Sequence, residues 1–203
     1  ELALFKEFFK RKLEHEPIQY ITNEAHFMGL EFFVDKRVLI PRPETEILIS
    51  EALTILKSNS EATVRVLDIG TGSGNIPISI AHFQKNVKVD SIDVSDNALA
   101  VADVNVQRHH LSERIQLLNV DVLKSADGLL ENSYEMIVSN PPYISNEEYD
   151  LLSKDVKDFE PSLALKDGDD GLTFYKAITR RSNQLLKQYG WLLFEVAYNQ
   201  CDD

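Results

Sequence analysis

The stretch that decides the fold is Val64-Arg65-Val66-Leu67-Asp68-Ile69-Gly70-Thr71-Gly72-Ser73-Gly74. Its first six residues are rich in apolar and β-branched side chains, which predicts a buried strand. The three glycines that follow at alternate positions predict a tight loop at which a ligand can approach the backbone. From Val64 onward, predicted strands alternate with predicted helices, a pattern typical of a parallel sheet joined by right-handed crossovers. We therefore predict an α/β fold, a mostly parallel sheet with helices on both faces.

The elements after the glycine loop follow from hydrophobic periodicity and from turn residues. The sequence predicts helices over 76–83, 95–110, 146–157 and 172–188, and strands over 87–94, 115–120, 134–139 and 191–197. Gly190 is predicted to cap the last helix in a left-handed conformation. In such sheets, ligands bind at the carboxyl ends of the strands, where the strand order reverses. The first and fourth strands are therefore expected to bring Gly70 and Asn140 together.

The segment before Val64 has a different pattern. Residues 1–17 carry apolar side chains at near-helical spacing, which predicts an amphipathic helix. Residues 18–40 are rich in aromatic and β-branched side chains, interrupted by Gly29, which predicts a β-hairpin. The run Pro41-Arg42-Pro43-Glu44-Thr45-Glu46 then begins a helix that reaches about Lys57, with a proline and acidic residues in its first turn.

The overall composition is that of one main globular domain, with 43% hydrophobic and 27% charged residues among 203. The net charge of -12 disfavours nucleic acid as a direct partner. The single cysteine rules out an internal disulfide, and no apolar stretch is long enough to span a membrane. We predict a cytoplasmic protein. The sequence carries no signal for its oligomeric state.

A second motif, Asn140-Pro141-Pro142-Tyr143, follows the predicted strand 134–139. The side-chain oxygen of Asn140 and the carbonyl of Pro141 can accept the two hydrogens of a planar amide or amine. Pro141 has no N–H and the proline pair is stiff, so these acceptors are preorganised, while Tyr143 offers a flat face for stacking. A rigid exit loop with no ligand is the alternative explanation.

The glycine spacing Gly-x-Gly-x-Gly favours S-adenosylmethionine over a nicotinamide cofactor, whose fingerprint has a different spacing, and a plain tight turn remains open. Asp93, about 20 residues further on, is placed to accept the ribose hydroxyls or to cap a helix. Asp121 and Val122 suit an adenine edge and face, although an exposed turn explains Asp121 nearly as well. Asp68 suits two roles equally, orienting the loop or the cofactor's amino group, and capping the strand end.

Together the two motifs indicate methyl transfer from S-adenosylmethionine to nitrogen. An amide nitrogen is a poor nucleophile because its lone pair is conjugated with the carbonyl, so positioning must supply most of the catalysis. The five histidines show no metal-ligand spacing, and we predict no metal site.

The whole set of motifs resembles the release-factor glutamine methyltransferases, the HemK or PrmC family. The resemblance covers nearly the whole chain, and the Pro-Arg-Pro-Glu-Thr-Glu and Asn-Pro-Pro-Tyr motifs are its specific part. The matching segments, in the family's order, are 16–21, 27–30, 39–46, 68–74, 140–143, 160–161, 163–165 and 170–172.

The resemblance implies N5-methylation of the glutamine in the Gly-Gly-Gln motif of peptide chain release factors, with S-adenosylmethionine as cofactor. It implies a Rossmann-like class I methyltransferase fold. It assigns to the cofactor Asp68, Ile69, Gly70, Thr71, Gly72, Asp93, Val122 and Asn140. It assigns to the substrate glutamine Asn140, Pro141, Pro142 and Tyr143, of which Asn140, Pro141 and Tyr143 are the catalytic candidates.

The resemblance also divides the chain. It implies that residues 1–17 are the remnant of an N-terminal helical domain, 18–40 a hairpin linker, and 41–203 a methyltransferase domain that continues beyond Asp203. The segment 41–46 is either a lid of the pocket or simply a helix start. Two rival functions remain: methylation of adenine N6 or of a ribosomal guanine, whose ring amino groups are also planar, and a non-catalytic nucleotide-binding module.

Overall fold

The computed structural model describes residues 2–57 and 63–200, and its centre is a five-stranded sheet in which every pair of neighbouring strands is parallel. A separate antiparallel hairpin precedes it. The hairpin strands are β1 (Glu24–Phe27) and β2 (Leu30–Phe33), and the sheet strands are β3 (Val64–Ile69), β4 (Val87–Asp93), β5 (Ile115–Asn119), β6 (Tyr134–Ser139) and β7 (Leu186–Phe194). The order across the sheet is β5-β4-β3-β6-β7.

The described helices vary from single turns to three or more turns. They are α1 (Leu2–Leu13), α2 (Ile18–Thr22), α3 (Thr45–Lys57), α4 (Asn75–Phe83), α5 (Asp96–Arg108), α6 (Asn146–Tyr149), α7 (Lys154–Lys157) and α8 (Thr173–Leu185). Within the described residues, no helix combines the length and the apolar character that crossing a bilayer requires.

Two hydrophobic clusters cover the two faces of the sheet. Side chains alternate along β3, so that Val64 and Val66 pack in one cluster with residues of α3, α4 and α5. Leu67 and Ile69 point the other way and pack with Ile178 of α8. Fully burying such a side chain is worth roughly 1.5–3 kcal/mol, which is why the alternation fixes the face of each residue. The prediction of a parallel sheet with helices on both faces is confirmed.

The strand order reverses beside β3. The chain moves from β3 out to β4 and β5, and then returns to place β6 on the other side of β3. Ile69 at the end of β3 is in register with Ser139 at the end of β6. The two motifs begin at the next residue of each strand, and a Cβ on Gly70 would lie 3.9 Å from the carbonyl oxygen of Asn140. The predicted meeting of Gly70 and Asn140 is confirmed.

The segment predicted as a hairpin linker contains a hairpin only in part. Residues 18–22 form the short helix α2, because the N–H groups of Tyr20 and Ile21 turn back to the carbonyl of Pro17. The hairpin occupies 24–33, and the Tyr20 hydroxyl anchors the turn that follows by donating to the carbonyl of Val38 over 2.6 Å. In the preceding helix α1 no residue is buried.

Three predicted boundaries in the last third of the chain are wrong. The helix predicted over 146–157 is two single turns, α6 and α7. The strand predicted over 191–197 is β7 at Leu186–Phe194, and the helix predicted over 172–188 ends at Leu185. Its last carbonyls accept hydrogen bonds from the backbone of residues 132 and 133, so strand β7 begins at once. The left-handed residue is Tyr189, with a φ of 65°. Gly190 is needed for a different reason, because the backbone of Tyr134 passes close to it. A Cβ on residue 190 would lie 3.2 Å from the Tyr134 carbonyl oxygen.

Candidate active site

A cleft opens at the carboxyl ends of β3, β4 and β6. Its volume is about 210 Å³, against the roughly 10–15 Å³ that one water molecule needs, so it has room for a small organic ligand. Most of the site residues predicted from the sequence lie in the wall of this cleft. These are Ile69, Gly70, Gly72, Asp93, Val122, Asn140, Pro141 and Pro142.

The glycine loop has the backbone conformation that its composition predicts. Gly70, Gly72 and Gly74 have φ values of 80°, 52° and 82°, in the left-handed region where a side chain would be strained. The N–H groups of Gly70 and Thr71 both donate to the carbonyl of Ile92, at 2.9 and 3.1 Å, which ties the loop to β4. The loop is therefore held in place from the next strand.

Asp93 joins the glycine loop to the start of α5. One carboxylate oxygen accepts the Gly72 N–H over 3.0 Å, and the other accepts the Ser95 N–H over 2.9 Å. Burial raises the pKa of Asp93, and these backbone hydrogen bonds oppose the rise. The cap of α5 is the Ser95 hydroxyl, which accepts the Ala98 N–H. Asp93 thus faces the cleft with backbone donors on both oxygens, and the carboxylate keeps lone pairs for a ligand.

Asp68 and Thr71 lie beneath the loop, outside the residues that line the cleft. The Ser91 hydroxyl lies 2.6 Å from both Asp68 Oδ2 and Thr71 Oγ1. Within the described residues, the other oxygen of Asp68 has no hydrogen-bond partner. Burial of this carboxyl raises its pKa to about 7. Asp68 and Thr71 are therefore placed to support the glycine loop from below.

The adenine candidates differ from each other. Val122 is buried and lines the cleft. Asp121 also borders the cleft, but its carboxylate accepts the Leu123 N–H and pairs with Lys124 at 2.9 Å, which lowers the pKa of Asp121. The side chain of Asp121 is therefore engaged in a local turn.

Asn140 is held by two residues that are not among the predicted site residues. Its amide nitrogen donates to the Thr45 hydroxyl oxygen over 3.1 Å, and that hydroxyl donates to Glu195 over 2.6 Å. Burial raises the pKa of Glu195, while the hydrogen bonds from Thr45 and Asn140 lower it in part. Tyr143 lies outside the cleft wall and is half-buried, with its pKa raised chiefly by burial.

A signal for both missed residues was present in the sequence. Thr45 belongs to the segment 41–46, whose alternatives were a lid and a helix start. Glu195 directly follows β7, whose last residue is in register with Ser139 of β6, so its place beside Asn140 follows from strand order. Neither residue could be selected before the neighbour of β6 was known.

The segment 41–46 connects several parts of the molecule. Arg42 pairs at 2.6 Å with Glu160, whose side chain is only 2% exposed. Glu46 accepts the Met28 N–H at the tip of the hairpin over 2.7 Å. The helix α3 itself begins at Thr45. The segment is therefore more than a helix start: it joins the hairpin, the loop before α8 and the Asn140 corner.

Two comparisons relate the sequence of this chain to known proteins. The family model of the Methyltransferase small domain matches residues 45–159. The chain is 40% identical over 202 residues to the release factor glutamine methyltransferase of Clostridium acetobutylicum, covering 100% of this chain and 70% of that protein. It is 39% identical to the one of Fusobacterium nucleatum, covering 95% of this chain and 53% of that protein. The chain thus spans about half to seven-tenths of these relatives.

Solved structures show the same fold at low sequence identity. The hMettl16 catalytic domain in complex with MAT2A 3'UTR hairpin 6 aligns with a TM-score of 0.62 at 22% identity, covering 80% of this chain and 59% of that chain. The human methyltransferase 10 domain containing protein aligns with a TM-score of 0.51 at 21% identity, covering 76% and 65%.

Proposed function

The chain belongs to the release factor glutamine methyltransferase family, and on that premise we propose that it methylates the side-chain amide nitrogen (N5) of a release-factor glutamine. The target is the glutamine of the Gly-Gly-Gln motif in peptide chain release factors. The methyl donor is S-adenosylmethionine. The observation that carries the proposal is the contact between the glycine loop and the Asn140 corner, which puts a donor site and an acceptor site in one cleft. Such a substrate implies action in the cytoplasm.

The residues of the cleft fit the cofactor. Gly70 and Gly72 allow its methionine part to approach the backbone, because no side chain stands there. Asp93 accepts hydrogen bonds from the ribose hydroxyls with the lone pairs left free by Gly72 and Ser95. Val122 supplies an apolar surface for the adenine ring. When bound, S-adenosylmethionine supplies an electrophilic methyl group on a positively charged sulfur.

The Asn140 corner fits the substrate amide. Asn140 Oδ1 and the Pro141 carbonyl accept the two hydrogens of the glutamine nitrogen, so the nitrogen is held with its lone pair toward the methyl group. Positive charge that develops on the nitrogen is stabilised by the same two oxygens. Tyr143 is the candidate for stacking on the flat amide from outside the cleft wall.

The reaction balances without a dedicated base. The carbon–nitrogen bond forms as the carbon–sulfur bond breaks, and both electrons of the latter stay on the sulfur of S-adenosylhomocysteine. The N-methylated amide is then strongly acidic at nitrogen and releases one of its two hydrogens to water. Catalysis rests on orientation, which is worth up to ~7–11 kcal/mol in favourable cases.

Methyl transfer from labelled S-adenosylmethionine to purified release factor tests the proposal. Wild type should label the factor, and replacement of the Gly-Gly-Gln glutamine by alanine should abolish labelling. Asn140→Ala should lower turnover by about 100-fold or more. Asn146→Ala, an exposed asparagine outside the cleft wall, serves as the matched control and should leave turnover unchanged.

Two further readouts test the cofactor site and separate the rival functions. Asp93→Ala should weaken cofactor binding by about 10-fold or more, because hydrogen bonds to a charged group are worth ~1.5–3 kcal/mol. Label found in DNA or ribosomal RNA and absent from release factor would favour methylation of a ring amino group. Unchanged turnover in Asn140→Ala would reject the role given to this corner.

A further inference from the structure

A short chain of hydrogen bonds runs from Glu195 through Thr45 to Asn140. Thr45 Oγ1 lies 2.6 Å from Glu195 Oε2 and 3.1 Å from Asn140 Nδ2. The three side chains come from the start of α3 and from the positions directly after β6 and β7. Thr45 is buried, with 1% of its surface exposed, so water does not compete for its single hydrogen.

The direction of this chain is set by which groups carry hydrogens. When Glu195 is ionised its carboxylate can only accept, so the one hydrogen of the Thr45 hydroxyl goes to Glu195. The Thr45 oxygen is then left with lone pairs alone, and Asn140 must turn its NH2 group toward it. Asn140 also lowers the pKa of Glu195, the effect of an NH2 group that faces the carboxylate. Both partners thus select the same orientation of the Asn140 carboxamide.

This orientation decides what the cleft can recognise. With its NH2 group on the Thr45 side, Asn140 presents its oxygen to the opposite side, together with the carbonyl of Pro141. If the Asn140 carboxamide were rotated by half a turn, its NH2 group would face the substrate. An NH2 group repels the hydrogens of a glutamine amide and attracts the oxygens of a carboxylate.

We propose that Thr45 and Glu195 are positioning residues that hold the Asn140 oxygen toward the substrate, and that they thereby make the site select a carboxamide over a carboxylate. The proposal rests on the proposed function. It assigns to the segment 41–46 a role in specificity, through Thr45, in addition to its structural contacts.

The framework around Glu195 is suited to this role. Its N–H donates to the Ser139 carbonyl over 3.1 Å, and its own carbonyl accepts the Tyr175 hydroxyl over 3.0 Å. The backbone of Glu195 is therefore fixed from β6 on one side and from α8 on the other. A side chain anchored in this way holds its partner at little further entropic cost.

The test compares Thr45→Val with Thr45→Ser. Valine keeps the shape and removes the hydroxyl, while serine keeps the hydroxyl. Thr45→Val should lower kcat on release factor by about 30-fold or more, with the cofactor Kd within about twofold, and Thr45→Ser should stay within about threefold of wild type. Thr54→Val makes the same change at an exposed threonine of α3 and should leave kcat unchanged.

A specificity readout separates positioning from simple damage. Binding is measured for release factor in which the Gly-Gly-Gln glutamine is replaced by glutamate. Wild type should bind the glutamate form about 100-fold more weakly than the glutamine form, and Thr45→Val should reduce that ratio by about 10-fold, because the freed carboxamide can turn. A merely structural role would weaken both forms equally.

The outcomes are distinguishable. Wild type that leaves release factor unlabelled overturns the proposed function, and this inference with it. Wild-type labelling with normal kcat and normal discrimination in Thr45→Val overturns the inference alone. If Thr45→Val does not fold, Glu195→Gln replaces it. A glutamine can donate to Thr45 as well as accept from it, so discrimination should again fall, and unchanged discrimination overturns the inference.

Discussion

The buried carboxyl of Asp68 should make the stability of this protein depend on pH in a way that Asp68→Asn removes. Burial raises the pKa of Asp68 from its usual value of 3.8 to about 7 in the folded state. The folded protein therefore binds a proton more readily than the unfolded chain. For a raised pKa, the stabilising contribution is fully present below the unfolded value, and it is lost as the pH rises toward the folded value.

The size of the effect follows from the same values. A difference of about three pKa units, at ~1.4 kcal/mol each, sets an upper bound of about 4 kcal/mol across the whole range. About half of this, ~2 kcal/mol, falls between pH 5.5 and 8.5, a range that avoids the acid region where this acidic chain approaches zero net charge. Against a total of ~5–15 kcal/mol for a typical domain, the change is measurable.

Urea unfolding followed by circular dichroism at several pH values measures it as a difference between variant and wild type. Asp68→Asn should lower the free energy of unfolding by an amount that does not depend on pH, since one side of the buried site offers no partner to its NH2 group within the described residues. The free energy of unfolding of the variant minus that of wild type should nevertheless rise by about 2 kcal/mol from pH 5.5 to 8.5.

Asp121→Asn is the matched control, because Lys124 lowers the pKa of Asp121 and keeps its titration below this window. The difference for that variant should be flat. A flat difference for Asp68→Asn as well would refute the reasoning, since it would mean that Asp68 does not titrate between these pH values.

Two further predictions concern stability. Gly74→Ala should destabilise the protein by about 1 kcal/mol more than Gly128→Ala. Both glycines have a left-handed φ, but only at Gly74 would a new Cβ meet a neighbour, an isoleucine carbon at 3.2 Å. Equal losses of stability in urea unfolding would contradict this. Arg42→Ala should cost about 2–4 kcal/mol, since it leaves the carboxylate of Glu160 without its cation. Adding Glu160→Gln should recover part of that loss, and the comparison of the two unfolding curves tests it.

The sheet and its ligand loop could be predicted because their signals are local. The alternation along β3, the glycines after it and the apolar run of β6 each specify their own structure within about ten residues. The topological rule for parallel sheets then supplied the contact between Gly70 and Asn140 across the gap in sequence. That contact required no knowledge of side-chain packing.

The boundaries near α6 and α8 could be predicted less well, for two different reasons. In the structure, Ser145 and Glu148 form a capping box at the start of α6, and Ser153 precedes a second start at α7, so the segment divides into two turns. The end of α8 carried no such signal. It is set by hydrogen bonds from residues 132 and 133, about 50 positions away, which exist only after the sheet has formed.

The partners of Asn140 could not be selected from the sequence alone, because their contacts with it are tertiary. Thr45 is 95 positions from Asn140, and Glu195 is 150 positions from Thr45. Local patterns assign other roles to both residues, since Thr45 lies at a helix start and Glu195 at a strand end. Polar networks of this kind become visible when the neighbours of a strand end are known.

The two halves of the site depend on one short junction between β3 and β6. The buried Ser139 hydroxyl donates to the carbonyl of Ile69 over 2.7 Å, directly before Gly70 and Asn140, the residues proposed to face the methyl donor and the substrate amide. Because misplacement by ~1 Å can reduce a rate by ~100-fold, the distance between methyl donor and amide has to be set by something stiffer than the two loops. The paired strand ends meet that need, since a change in their register would turn every neighbouring side chain to the wrong face of the sheet. The same paired ends that build the core therefore also fix the distance between Gly70 and Asn140, and with it the geometry of the proposed methyl transfer.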